Sequence, residues 1–129
     1  MKKILKQYLH HPLVAAVFAM FVYGGWAAAV NAEHGLTVAL RSGLGQGLYA
    51  FAATFGTGYL AIKTYQYVNH KKIGFVLGFV FSFVLMVSLP YTVHTLLATP
   101  NKWEAMSLGL VWGTLYLIWL LWMESKRST

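Results

Sequence analysis

Cysteine is absent from the 129-residue chain, acidic residues number only three, and charged residues of both signs make up 10% of the sequence. Without a thiol there is no disulfide framework, no thiolate metal site, no iron–sulfur cluster and no cysteine nucleophile. The shortage of charge excludes an ordinary water-soluble domain, in which roughly 25% of residues are charged. Also missing are a Ser-His-Asp constellation, an H-E-x-x-H helix and a phosphate-binding loop. No acid–base pair suggests an enzyme.

What is present is apolar: 58% of residues, with a mean hydropathy of +0.58. Charges divide the chain into four neutral stretches, residues 7–32, 42–62, 73–101 and 105–123. Each can cross a hydrocarbon core of about 30 Å at 1.5 Å per helical residue. None alternates apolar and polar residues as a barrel wall does, and a backbone inside a bilayer must satisfy its own hydrogen bonds. The sequence therefore predicts an all-α integral membrane protein. It forms a compact four-transmembrane-helix bundle of two hairpins, with spans near 12–31, 42–62, 73–97 and 105–123. Four spans consume about 80 positions, so residues 1–129 form a single transmembrane domain. The first apolar run, 13–30, exceeds the ~7–15 residues of a signal-peptide core and reads as a retained helix.

The net charge of +7 suggests nucleic acid until the cations are mapped. Lys2, Lys3, Lys6, Lys63, Lys71, Lys72, Lys126 and Arg127 fall at the termini and middle connection; Arg41 and Lys102 fall at the other two. This asymmetry predicts both termini inside a cell (inner) membrane, with lipids rather than nucleic acid as partners. A helical N-terminus would rest Lys2, Lys3 and Lys6 on anionic lipid.

Three G-x-x-x-G pairs, Gly43/Gly47, Gly74/Gly78 and Gly109/Gly113, mark helix faces on which another backbone can pack closely. Gly25/Ala29 is a weaker version. Packing within the bundle is the first reading, and a homodimer or other membrane subunits the second. No Asp, Glu, Lys or Arg lies at mid-span, which counts against cation-coupled transport.

Polar residues concentrate at the outer side. Asn31, Glu33 and His34 follow the first span, Arg41 precedes the second, and Gln46 lies one turn inside it. His94 stands above a kink expected at Pro90. Arg41, Gln46, His94, Asn31 and His34 are the candidate ligand-binding residues of a vestibule accepting a phosphate head group. Arginine suits this role through its bidentate fork. Arg41 and Gln46 are 140° apart on a regular helix, so they converge if Arg41 precedes the regular helix, as a loop-like run 42–45 would allow, or if its long side chain wraps inward. The alternative is an ordinary polar rim with Arg41–Glu33 and Lys102–Glu104 pairs. Only His34 and His94 share a depth suited to haem, and no cofactor or metal is expected. The function expected is non-enzymatic transport, or an accessory role, for an anionic lipid or lipid-linked group. A structural subunit of a larger membrane complex comes second and a haem protein last.

Overall fold

The computed structural model describes residues 12–127, and the N-terminal segment bearing Lys2, Lys3 and Lys6 lies outside them. Among the described residues the chain is all-helical, without strands. Helix α1 covers Pro12–Val30, α2 Leu36–Tyr67, α3 Lys71–Leu96 and α4 Lys102–Arg127. A single 3-10 turn, Ala32–His34, joins α1 to α2. Of the four helices, α3 and α4 are long and apolar enough to cross a membrane, whereas Val14–Val30 is a shorter apolar helix. Helix α2 does not reach that hydropathy, although residues 42–62 carry no charge.

Helices α2 and α4 outrun the stretches marked by charge at both ends. Helix α2 begins at Leu36 and continues to Tyr67, so residues 42–45 are helical and not loop-like. A charge marks where apolar surroundings end; the backbone hydrogen-bond ladder continues past it until a residue breaks it. Gly35 is such a break. Its φ of 100° lies where an L side chain is strained, and its carbonyl accepts from Ala39 N–H to start α2. At the start of α3, His70 Nδ1 accepts from Ile73 N–H.

Small residues set the packing. A Cβ on Gly24 would lie 2.8 Å from the Gly43 carbonyl oxygen, and one on Gly47 would lie 2.9 Å from that of Met20. The α1–α2 crossing is thus backbone against backbone. Gly74 and Gly78 bring α3 onto α2 in the same way, their Cβ positions 3.0 and 2.8 Å from the oxygens of Tyr65 and Ala61. These two pairs act inside the bundle, as the spacing predicts. Gly109/Gly113 does not. A Cβ at Gly113 would meet only the Met86 thioether, and one at Gly109 would meet nothing closer than the Gln46 amide nitrogen at 3.5 Å.

Side-chain distribution is inverted relative to a water-soluble bundle. Large apolar residues such as Phe18, Phe21, Leu44, Leu48 and Val84 face outward, while Ala16, Ala27, Ser42, Gln46, Ser82 and His94 are buried. Only 28% of the most apolar stretch of α3 and 17% of that of α4 is buried. One large apolar core exists, formed by Ala61, Tyr65, Met86, Leu117 and Leu121 with Phe75, Phe79 and Phe83. It binds α2, α3 and α4 toward the end that carries the α2–α3 connection. The opposite, two-loop end is held by polar groups.

Candidate functional site

At the two-loop end, Asn31 and Asn101 lock the connections together. Asn31 is fully buried; its Nδ2–H donates to Ala27 O, and its Oδ1 accepts from Asn101 N–H at 3.0 Å. Asn101 Nδ2–H in turn donates to Val30 O and to Glu33 Oε1, both at 2.8 Å. Nearby, Trp26 Nε1–H donates to Glu104 O at 2.7 Å, tying α1 to α4. Of the expected candidates, Asn31 is therefore a staple between loops. His34 lies exposed on the 3-10 turn beside Glu33, 3.4 Å away.

Gln46 and His94 do meet. His94 Nε2 lies 2.6 Å from Gln46 Oε1, which can only accept, so the ring proton sits on Nε2. In the neutral ring Nδ1 then accepts, and Thr99 O–H donates to it at 2.9 Å. Ser42 O–H donates to Thr99 Oγ1 at 3.2 Å. Ser42, Thr99, His94 and Gln46 thus form a directed chain of donors, every member buried. Both imidazole nitrogens of His94 are engaged within the chain, and His34 stands exposed on the 3-10 turn.

The turn after α3 builds this chain. Ala98 adopts φ 53°, Ala98 N–H bonds Thr95 O, and Thr99 N–H bonds His94 O at 2.9 Å. This left-handed helix stop folds Thr99 back over the last turn, placing its hydroxyl on the His94 ring. The sequence places Thr99 with the outer polar residues, but no glycine marks the turn that sets it on the His94 ring, and Ser42 carried no signal.

Arg41 stands apart. With residues 42–45 helical it keeps its 140° offset from Gln46. It lies on the exposed face, and no hydrogen bond or ion pair joins it to the candidate residues. Lys102 and Glu104 do not pair either: Lys102 Nζ contacts Thr95 Oγ1 at 3.3 Å and lies 4.2 Å from the centroid of the Tyr91 ring. Asn31, Gln46 and His94 are thus hydrogen-bonded within the chain, and Arg41 is not joined to them.

Beyond the Trp26–Glu104 bond, a cavity of about 590 Å³ separates α1 from α4. Ala50, Thr57, Met86, Pro90 and Met106 form its buried floor, and exposed Val14, Phe18, Tyr116 and Trp119 frame its mouth. Pro90 stands in the wall of an uninterrupted α3. Part of the polar lining is spent within the chain, and the Tyr23 and Tyr116 side chains also lie in the wall. Thr54 and Thr57 hydroxyls donate to Ala50 O and Ala53 O, and Tyr49 O–H donates to Met86 O at 3.1 Å. The Gln46 amide nitrogen, whose partner oxygen is held by His94, faces the cavity beside Gly109 and Tyr23. Among the described residues, no charged side chain lines the cavity.

The opposite end holds a residue that spacing did not flag. Glu124 is buried, accepting from Gln66 Nε2–H at 2.9 Å and pairing with Arg127 at 3.2 Å. Its partner Gln66 is 58 positions away, which leaves no local signal.

No protein-family model, curated protein or solved structure matches the chain. Its own chemistry carries the functional argument.

Proposed function

We propose that this chain is a non-enzymatic, four-span protein of the cell inner membrane, with both termini cytoplasmic. It holds a membrane lipid or lipid-linked group by an apolar tail in the crevice between α1 and α4, in a transport or transport-accessory role. The observation that carries this reading is the crevice itself. Its volume falls within the ~300–1,000 Å³ of small-molecule sites. A crevice with this lining, open to its surroundings, is filled by whatever molecule suits its walls. Water is a poor filler because it needs two to four polar partners. An apolar tail meets the requirement, and the mouth opens toward the side where lipid would lie.

The outward-facing large apolar residues support the membrane reading, since such a surface in water would aggregate. Helix α2 fits the same slab, because its uncharged 21-residue stretch rises about 32 Å. A second reading, as a subunit of a larger membrane complex, is favoured by Gly25 and Gly56. Neither has an atom near its Cβ position, and both are exposed.

Gly109→Leu tests the lipid reading. A side chain at this position enters the crevice without meeting backbone. The variant should fold and lose the lipid that co-purifies with the wild type, as measured by mass spectrometry of organic extracts. Equal lipid retention by a folded variant overturns the crevice as the binding site.

A further inference from the structure

The crevice carries a more specific message about its occupant. Of the polar groups in its wall, two threonines and Tyr49 are bonded to backbone carbonyls. At the two-loop end the Gln46 amide N–H remains directed inward, 3.5 Å from the Cβ position of Gly109. Its orientation is coupled to the tautomer of His94. Ser42 donates to Thr99, Thr99 to His94 Nδ1, and His94 Nε2–H to Gln46 Oε1. The amide oxygen is therefore held away and the NH₂ presented to the crevice.

We propose that the crevice selects an uncharged, acceptor-headed apolar molecule, its carbonyl oxygen accepting from Gln46 Nε2–H, with His94 and Thr99 as positioning residues. This rests on the lipid-binding reading above and deepens it. Charge is excluded from this part of the ligand. An ion there would lose its hydration with no lining counter-charge in return. A hydrocarbon end would instead leave the amide N–H without a partner. Depth agrees with a carbonyl. Gln46 lies about 6 Å along the helix from the start of the uncharged stretch at Ser42, just inside the polar region, where acyl esters of a bilayer lipid lie. An anionic group on the same molecule stays outside the crevice.

The test uses the full chain in lipid nanodiscs equilibrated with three probes sharing one tail length: methyl palmitate, palmitate at neutral pH, and hexadecane. Retained probe is measured by mass spectrometry relative to protein-free discs. Wild type should retain methyl palmitate about two- to tenfold over hexadecane, as one net hydrogen bond provides, and should retain palmitate least. Gln46→Leu should equalise methyl palmitate and hexadecane while total retention persists. Thr99→Val, which unpins the ring tautomer without touching the crevice, should also reduce the preference; Thr99→Ser should restore it. Equal retention of methyl palmitate and hexadecane by wild type overturns the head-group inference and leaves the lipid crevice standing. A preference that survives both Gln46→Leu and Thr99→Val also overturns it. Failure to retain any probe removes the lipid-binding reading itself.

Discussion

One added methyl group, placed at three glycines in turn, measures how differently identical sequence motifs are used. At Gly78 the new Cβ would lie 2.8 Å from the Ala61 carbonyl oxygen and 3.3 Å from Leu121 Cδ2. The first neighbour is backbone, so α3 and α2 must move apart. Overpacking of that kind costs about 1–3 kcal/mol, and a backbone obstacle belongs at the upper end. Replacing helical glycine by alanine returns up to about 1 kcal/mol of propensity. Gly78→Ala should therefore lose about 2 kcal/mol. At Gly113 the obstacle is Met86 Sδ at 2.5 Å, the middle of a flexible side chain that can re-rotamerise. Gly113→Ala should fall between a small loss and neutrality. At Gly109 the nearest atom is 3.5 Å away, so only the propensity term acts, and Gly109→Ala should be neutral or stabilised by up to about 1 kcal/mol. The span between Gly78→Ala and Gly109→Ala is thus about 3 kcal/mol, readable by equilibrium unfolding of purified protein in mixed micelles. Equal unfolding free energies for the two variants would refute the close α2–α3 crossing and the open space at Gly109 together.

Ala98→Gly should stabilise the protein by about 1 kcal/mol, because φ 53° strains an alanine and not a glycine; unchanged or lower stability in the same assay would contradict the strained turn. Asn31→Ala should cost about 1–3 kcal/mol by stripping partners from Asn101 N–H and Ala27 O, and a neutral result would refute the loop staple. Arg41→Ala should leave stability and lipid retention unchanged, since the side chain is exposed and remote from Gln46; a loss of retained lipid would restore the anionic vestibule. Single cysteines at Ala32 and Asn69, both exposed in connections, should react oppositely with an impermeant maleimide on intact cells, Ala32→Cys alone being labelled. Equal labelling would remove the topology.

Charge punctuation made four helices legible because an uncharged run of this length has few other ways to satisfy its backbone. It misjudged the start of α2, where Arg41, Gly43 and Gly45 resemble a loop. In the fold Arg41 sits on the outer face and Gly43 is required by the crossing with Gly24. Gly43 thus serves the helix face marked by its spacing to Gly47, and Arg41 lies in the part of α2 that extends beyond the uncharged stretch. Gly74/Gly78 and Gly109/Gly113 read identically in the sequence and differ only in what stands opposite, which spacing does not encode. The meeting of His94 with Gln46 was foreseeable from their common depth. The contribution of Thr99 was not, because it depends on a left-handed turn at an alanine. Arg41 keeps the 140° of helical phase from Gln46 that the sequence already contained, because α2 is helical through both residues.

The central claim is that one tail-bearing molecule occupies the α1–α4 crevice of each chain. Native mass spectrometry of the protein ejected directly from its own membrane tests this without added detergent or probe. The account predicts a single lipid-sized adduct on the wild-type chain that persists at activation energies stripping bulk lipid, and its absence from folded Gly109→Leu. A bare chain, or adducts equal in the two proteins, would contradict it.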